Sequence, residues 1–285
     1  MDNNLQTIDT EMNQIVDAFS ADNTEALMEM TGQGSSSGRR EGLSRININY
    51  DTETEDGVTL TRGDWKVFVD GEYLYAKEIN FRPILRTFEW SMFDADEGAF
   101  SCKSVQKPTM SGDFPDTEGG SKCGRLSGEE EEKLKDDDPL RLKSRSAVCN
   151  QVIYGMVSGS FKKGNKENVE LTNHPVVAYF KRSGFIPMSN FINSLTKQKK
   201  IMQKVWIKLA TSKQKKGSVT YWIPVPTLSS ECEITDDDKA LMKKFAETVK
   251  AHNENIMNQY REATKLKSPA GDDDLAGDFN NAANA

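Results

Sequence analysis

The stretch from Ile201 to Trp222 constrains the fold more than any other. Its first half alternates: Ile201, Val205, Ile207 and Leu209 fall on one face of a strand, Lys204, Trp206 and Lys208 on the other. The turn Lys213-Gln214-Lys215-Lys216-Gly217 then reverses the chain into a second aromatic run with Tyr221 and Trp222, so the stretch predicts a β-hairpin. A Trp between two Lys on the solvent face of a strand leaves apolar surface in water unless something flat stacks on it. Cations for phosphates and rings for bases are the elements of a platform for single-stranded nucleic acid.

The charge layout points the same way. The 285-residue chain has a net charge of −7, but residues 1–138 carry 14 basic and 30 acidic side chains, and residues 139–222 carry 16 and 2. Residues 223–285 return to 7 and 12, and no acid lies between Leu171 and Ser230. Unmixed charge repels itself unless a partner covers it. That partner is read as a polyanion, in preference to a cationic face neutralised by the acidic parts of the same chain.

Around the hairpin, residues 1–41 read as an amphipathic helical arm followed by the linker Gly32–Gly38. Packing on the body and contact with a partner are both open for this arm. Strands are predicted at Leu43–Tyr50, Trp65–Val69, Tyr73–Phe81, Val148–Val157 and Val176–Arg182, and a helix at Pro187–Lys200. Between them, Phe81–Phe93 combines aromatics with two arginines. If extended, it places Arg82, Arg86, Phe88 and Trp90 on one face, a second candidate stacking surface. Ile84 and Met92 share that face, so core packing stands slightly ahead. Residues 94–138 read as an acidic insertion, with a capping box at Ser127–Glu130 opening a short helix over Glu129–Lys135. It is taken as solvated surface in preference to a shield over the site. Lys162, Lys163 and Lys166 are placed in a loop, and Pro224 and Pro226 are expected to end the sheet.

Thr235 caps a long helix to about Lys267, with Asp236, Asp237 and Asp238 in its first turn. Its stripe is Leu241, Phe245, Val249, His252, Ile256 and Tyr260. From Ser268 on, four Asp and no base predict a disordered tail.

No phosphate-binding glycine loop, dinucleotide fingerprint or zinc-protease helix occurs. With only His174 and His252, no catalytic constellation forms, and no enzyme activity or cofactor is assigned. Cys102, Cys123 and Cys149 with His174 are the only scattered zinc candidates. They lack the close pair that structural zinc sites use, so no metal is assigned. Cys232 completes four widely spaced cysteines, which suit a reducing, cytoplasmic compartment. No segment is apolar and long enough to span a membrane.

A basic, aromatic, β-rich body with an acidic C-terminus resembles the bacteriophage single-stranded DNA-binding proteins of T7-like and T4-like phages. The likeness rests on Trp206 with Lys204 and Lys208, on Tyr221 and Trp222, and on the tail residues Asp272, Asp273, Asp274, Asp278 and Phe279. It implies an OB-type barrel as the DNA cleft. It also implies a tail that contacts DNA polymerase, helicase-primase or recombination proteins and competes with DNA for the basic cleft.

The fold expected is α+β: an OB-like β-barrel or curved antiparallel sheet over 42–230, interrupted by the insertion. A C-terminal helix follows over 231–267 and a tail over 268–285. The function expected is sequence-tolerant single-stranded DNA binding in phage replication or recombination, with no membrane partner and with self-association left open. Lys204, Lys208, Lys213, Lys215 and Lys216 would track phosphates and Trp206, Tyr221 and Trp222 would stack, although Tyr221 and Trp222 point opposite ways. Lys181, Arg182, Lys199, Lys200, Arg82, Arg86 and Trp90 complete the candidate surface. A strand-annealing protein, a virion structural or scaffolding protein and, last, a metal-dependent nuclease are the alternatives.

Overall fold

The computed structural model describes residues 43–54, 57–163 and 167–267. The arm expected over 1–41, Lys166 and the tail with Asp272, Asp273, Asp274, Asp278 and Phe279 lie outside them. The described chain is α+β, with nine strands in one curved sheet. In chain order these are β1 (Ser44–Ile48), β2 (Trp65–Val69), β3 (Glu72–Ala76), β4 (Ile79–Asp94), β5 (Ala99–Lys103), β6 (Val148–Lys163), β7 (Glu167–Lys181), β8 (Val205–Lys216) and β9 (Val219–Glu231). The helices are α1 (Gly128–Glu132), α2 (Pro139–Ser146), α3 (Phe185–Lys197) and α4 (Asp236–Lys267).

Strand order is β3-β2-β1-β7-β6-β4-β8-β9, with β5 beside β4. The named ladders are antiparallel except β1–β7, which is parallel. β6 is long enough to serve two neighbours on one edge: β4 along Val148–Ser158 and β3 at Lys162 and Lys163. The path β3-β2-β1-β7-β6 therefore returns on itself. Lys162 and Lys163, expected in a loop, belong to this closure and also pair with β7. Pro224 and Pro226 sit inside β9 rather than ending it. β9 is the edge strand, and an edge tolerates residues that lack an N–H.

Alternation along β6 divides the two faces of the sheet. Ile153, Val157 and Phe161 point into the main core with Trp65, Phe81 and Leu209. Helix α3 adds Met188, Ile192 and Leu195 to that side. Tyr154 points the other way and packs on Phe245 of α4, ring centroids 5.5 Å apart. Under α4 this face is polar but satisfied. Gln106 accepts from the hydroxyls of Thr87 and Tyr154 and donates to the buried Glu89 at 2.9 Å. Asn253 of α4 bonds both the N–H and the C=O of Gln106, closing a strand edge that would otherwise be open.

The stripe expected on α4 is present: Phe245 and Ile256 are fully buried and Leu241, Val249, His252 and Tyr260 half-buried. Thr235 and Asp238 form its reciprocal cap, each accepting from the other's N–H. Ser127 and Glu130 cap α1 in the same way. No described helix is long and apolar enough to cross a membrane.

A register shift in β4 between Pro83 and Leu85 corrects the expected second stacking surface. One extra residue in a strand moves everything beyond it to the opposite face. Arg82, opposite Met156, therefore faces α4, while Arg86, opposite Ile153, faces α3. Arg82 is 5% exposed. It donates to the carbonyls of Gln203 and Glu233 and to Asp238 Oδ2 at 2.8 Å. Arg86 stacks over Phe88 and donates to Ser189 Oγ. Trp90 is packed between two hydrophobic clusters. All three hold the body together, and none presents its charge or ring to a ligand.

Candidate nucleic-acid interface

The β8–β9 hairpin forms, from Val205 to Glu231, and outruns the sheet. β4 covers β8 only at Ile207–Leu209, so the remainder is a two-stranded ribbon with Lys213, Lys215 and Lys216 near its tip. Cross-strand partners share a face, so the register fixes where each candidate points. Trp222 lies opposite Lys213 and Pro224 opposite Thr211, which places Trp222, Lys213 and Lys215 on one face. Tyr221 lies opposite Gln214, on the other face with Trp206, Lys208 and Lys216. The expected opposition of Tyr221 and Trp222 is thus observed, and the candidate residues form two separate sets.

On the Trp206 face the two lysines that flank the indole are already matched. Lys204 Nζ lies 2.7 Å from Glu233 and Lys208 Nζ 2.9 Å from Glu78. Lys200, near the end of α3, is 2.6 Å from Glu231. Trp206 is half-buried. The acid-free stretch of sequence is therefore not an acid-free surface, because its neighbours in space come from β9, from the segment before α4 and from the β3–β4 turn. Lys199 is exposed, with φ +57.

The Trp222 face is different. Trp222 packs over Gly63, where a Cβ would lie 2.3 Å from its indole nitrogen, and edge-on to Tyr50. Thr211 Oγ1 donates to the Gly63 carbonyl and pins the ribbon there. Trp222 and Tyr50 wall a cavity of about 170 Å³ that continues to Ile48, Tyr179 and Lys181. A second cavity of about 220 Å³, lined by Phe93, Phe100, Val148, Lys181 and Arg182, adjoins it through Lys181. Phe93 and Phe100 stand at the β4–β5 turn, 53% and 37% exposed, with ring centroids 5.4 Å apart. Lys103 Nζ lies 4.3 Å from the Phe100 ring. Tyr50 is 47% exposed.

Between these two aromatic pairs stand Lys181, which lines both cavities, and Arg182, which lines the second, with Arg45 close enough to act on the charge of Lys181. Arg45 from β1 lies over the Tyr179 ring at 4.2 Å. Lys181 ends β7 and Arg182 follows it in a left-handed conformation, φ +48. Among the described residues no carboxylate pairs with Arg45, Lys181 or Arg182. Partial burial lowers the pKa of Lys181 and the neighbouring charges of Arg45 and Arg182 lower it further, while the buried Glu89 carboxylate acts in the opposite direction. An anion bound beside Lys181 would relieve this crowding of positive charge.

Of the sequence-predicted residues, the fold brings Trp222, Lys181 and Arg182 to this groove, with Lys213 and Lys215 on the same ribbon face as Trp222. It places Trp206, Lys204, Lys208, Lys216 and Tyr221 on the other face of the ribbon. Arg45, Tyr50, Phe93, Phe100 and Lys103 were not singled out. The signal available for the phenylalanines was two aromatics flanking the turn Asp94–Gly98, a hairpin hidden in what reads as an insertion. His252 bonds the Ser104 carbonyl at 3.1 Å and lies 3.8 Å from Glu89, a packed residue of α4 as expected. Comparison of the chain with protein-family models, with curated proteins and with solved structures finds no match, so the reading of this groove rests on its own chemistry.

Proposed function

We propose that the chain binds single-stranded DNA without sequence preference, as a replication or recombination protein of the phage type, and that the groove between Trp222 and Phe93 is the binding surface. The observation that carries this is the pair Lys181 and Arg182, neither matched by a carboxylate among the described residues, between the exposed rings of Tyr50, Phe93 and Phe100 and the half-buried Trp222. A single strand offers phosphates and splayed bases together, which is what alternating cations and rings take up. A duplex hides its base faces and gives the rings nothing to stack on. Lys213 and Lys215 extend the positive path along the ribbon.

The strand path β3-β2-β1-β7-β6, which returns on itself, supports an OB-like reading of the body. It differs in running its five strands around the ring in chain order, where an OB-fold is a Greek key. The acidic tail fits the same function as a contact for polymerase, helicase-primase or recombination proteins.

Titration of a labelled oligothymidylate, the same length of duplex and the matching RNA at two salt concentrations tests the proposal. Tight, salt-dependent binding of the single strand and weak binding of the duplex are expected. Absence of single-strand binding, or preference for duplex, would overturn it. Accelerated annealing of complementary strands would redirect it to a pairing protein using the same groove.

A further inference from the structure

We propose that Cys102, Asp116 and Cys123 form a binding site for a thiophilic divalent cation of the zinc class. Their ligand atoms all lie within 4.8 Å of one another, and the three residues are 1%, 0% and 0% exposed. They come from different pieces of chain: Cys102 from β5, Asp116 from the loop that follows, and Cys123 from a short turn before α1.

Cys102 is placed by the β4–β5 ladder, where it pairs with Met92, and the other two ligands by the loop itself. Lys122, Cys123 and Gly124 have φ of +57, +53 and +74, a left-handed turn that side-chain-bearing residues avoid. It directs the Cys123 sulfur toward Cys102, the two sulfurs lying within 4.8 Å of each other. Asp116 is held by three backbone donors. Glu118 and Gly120 N–H reach Oδ1 at 3.0 and 2.9 Å, and Cys123 N–H reaches Oδ2 at 2.8 Å. A carboxylate has about four acceptor positions, so one remains for a cation. Such outer hydrogen bonds fix ligating carboxylates.

Two sulfurs and a carboxylate oxygen suit zinc and exclude magnesium and calcium, which take oxygen alone. The fourth position falls to water. Glu118, held by Lys143 Nζ at 2.6 Å, stands next to the set. The Cys123 thiol donates to the Trp90 carbonyl at 3.6 Å. Binding releases the protons of both thiols as two sulfur–metal bonds form, with no change of oxidation state. Cys149 packs beside the Phe88 cluster and His174 bonds Ser44, so neither joins this set.

The site ties β5 to the loop 114–124. Gly119 of that loop lies against Ala263 and Thr264 of α4, where a Cβ would come within 3.1 Å of both. A bound cation would fasten the acidic insertion to the sheet at the point where the last turns of α4 rest on it.

The test uses the full chain, reduced and stripped of metal with a chelator, titrated with Zn²⁺ against a chromophoric competitor and separately with Co²⁺. Expected are one equivalent bound and a Co²⁺–thiolate charge-transfer band of the intensity two sulfur ligands give. Cys123→Ser should abolish the band and weaken Zn²⁺ binding at least 100-fold, and Cys149→Ser should retain both. If Cys123→Ser does not fold, the stoichiometry and the Co²⁺ band of the unaltered chain and of Cys149→Ser decide. No thiolate band, no equivalent bound, loss of the band in Cys149→Ser, or a Cys102–Cys123 disulfide that forms despite excess Zn²⁺ would overturn the proposal.

Discussion

Trp222 stands edge-on to Tyr50, their ring centroids 5.6 Å apart at 82°. The Tyr50 hydroxyl accepts from the Trp222 N–H and donates to its carbonyl, each at 3.4 Å. The two residues are 172 positions apart in the chain. This contact turns the hairpin from an isolated ribbon into one wall of a groove. Of the two rings Tyr50 is the more open to solvent, although it looks unremarkable in sequence.

Tyr50→Ala and Phe93→Ala should each weaken single-stranded DNA binding by about 5- to 150-fold, the worth of one stacked base at roughly 1–3 kcal/mol. Both side chains are about half exposed and each is one half of an edge-on ring pair, so stability should fall by about 0.5–1.5 kcal/mol. Trp206→Ala should leave binding unchanged, because its face of the ribbon is separate and its flanking lysines are paired. An oligonucleotide titration with a parallel thermal melt reads all three. A loss confined to Trp206→Ala would move the site to the other face.

The double variant Lys181→Gln/Arg182→Gln should flatten the log–log salt dependence by about 1.4, two phosphate contacts at roughly 0.7 each. Lys204→Gln/Lys208→Gln should flatten it by less than half as much. Glu233 and Glu78 already neutralise those two ammonium groups, so few counterions are released there. Affinities at four salt concentrations distinguish the pairs. Equal slopes for the two double variants would show that the partners of Lys204 and Lys208 do not matter.

Much of this architecture is legible in the sequence wherever its cause is local. The alternation at Val205–Leu209, the Asp-rich start of α4, its apolar stripe and the Ser127 capping box all reappear where nearest-neighbour physics puts them. The register shift at Pro83/Leu85 has no local signature, and it decides that Arg82 and Arg86 point to opposite faces. Pairing of Lys204 with Glu233 and of Lys208 with Glu78 is tertiary as well, so charge counted along the chain overstated charge on that surface. The groove itself joins β1, β4, β5, β7 and β9, and only Trp222, Lys181, Arg182, Lys213 and Lys215 carried a local hint of it.

Arg82→Ala should cost about 3–5 kcal/mol, because it leaves Asp238 buried and without its cation. Burial acts to raise the Asp238 pKa, but the Thr235 N–H and hydroxyl and the Arg82 guanidinium outweigh it and hold the carboxyl below its ordinary value. A depressed carboxyl stabilises the fold fully above its unfolded pKa of about 4, and that contribution is lost as pH falls through the lower folded value. Urea melts between about pH 3 and pH 7 should show this acid-side loss in the unaltered chain and a smaller one in Arg82→Ala. An identical pH profile in both would detach Asp238 from Arg82.

Gly63→Ala tests whether the position of the ribbon, and not only its composition, makes the groove. Gly63 has φ +94, a conformation that favours glycine, and an added Cβ would lie 2.3 Å from the Trp222 indole nitrogen. The backbone strain alone is worth roughly 1–3 kcal/mol, and the contact can be relieved only by displacing Trp222 from Tyr50. Stability should therefore fall by about 1–3 kcal/mol. Single-strand affinity should fall about as far as in Trp222→Ala, with Trp emission shifting as the indole leaves its wall. The comparison with Trp222→Ala separates the two effects, since that variant removes the ring without straining residue 63. Loss of stability with unchanged affinity would mean that the ring binds wherever the ribbon carries it, and that the groove wall at Gly63 plays no part.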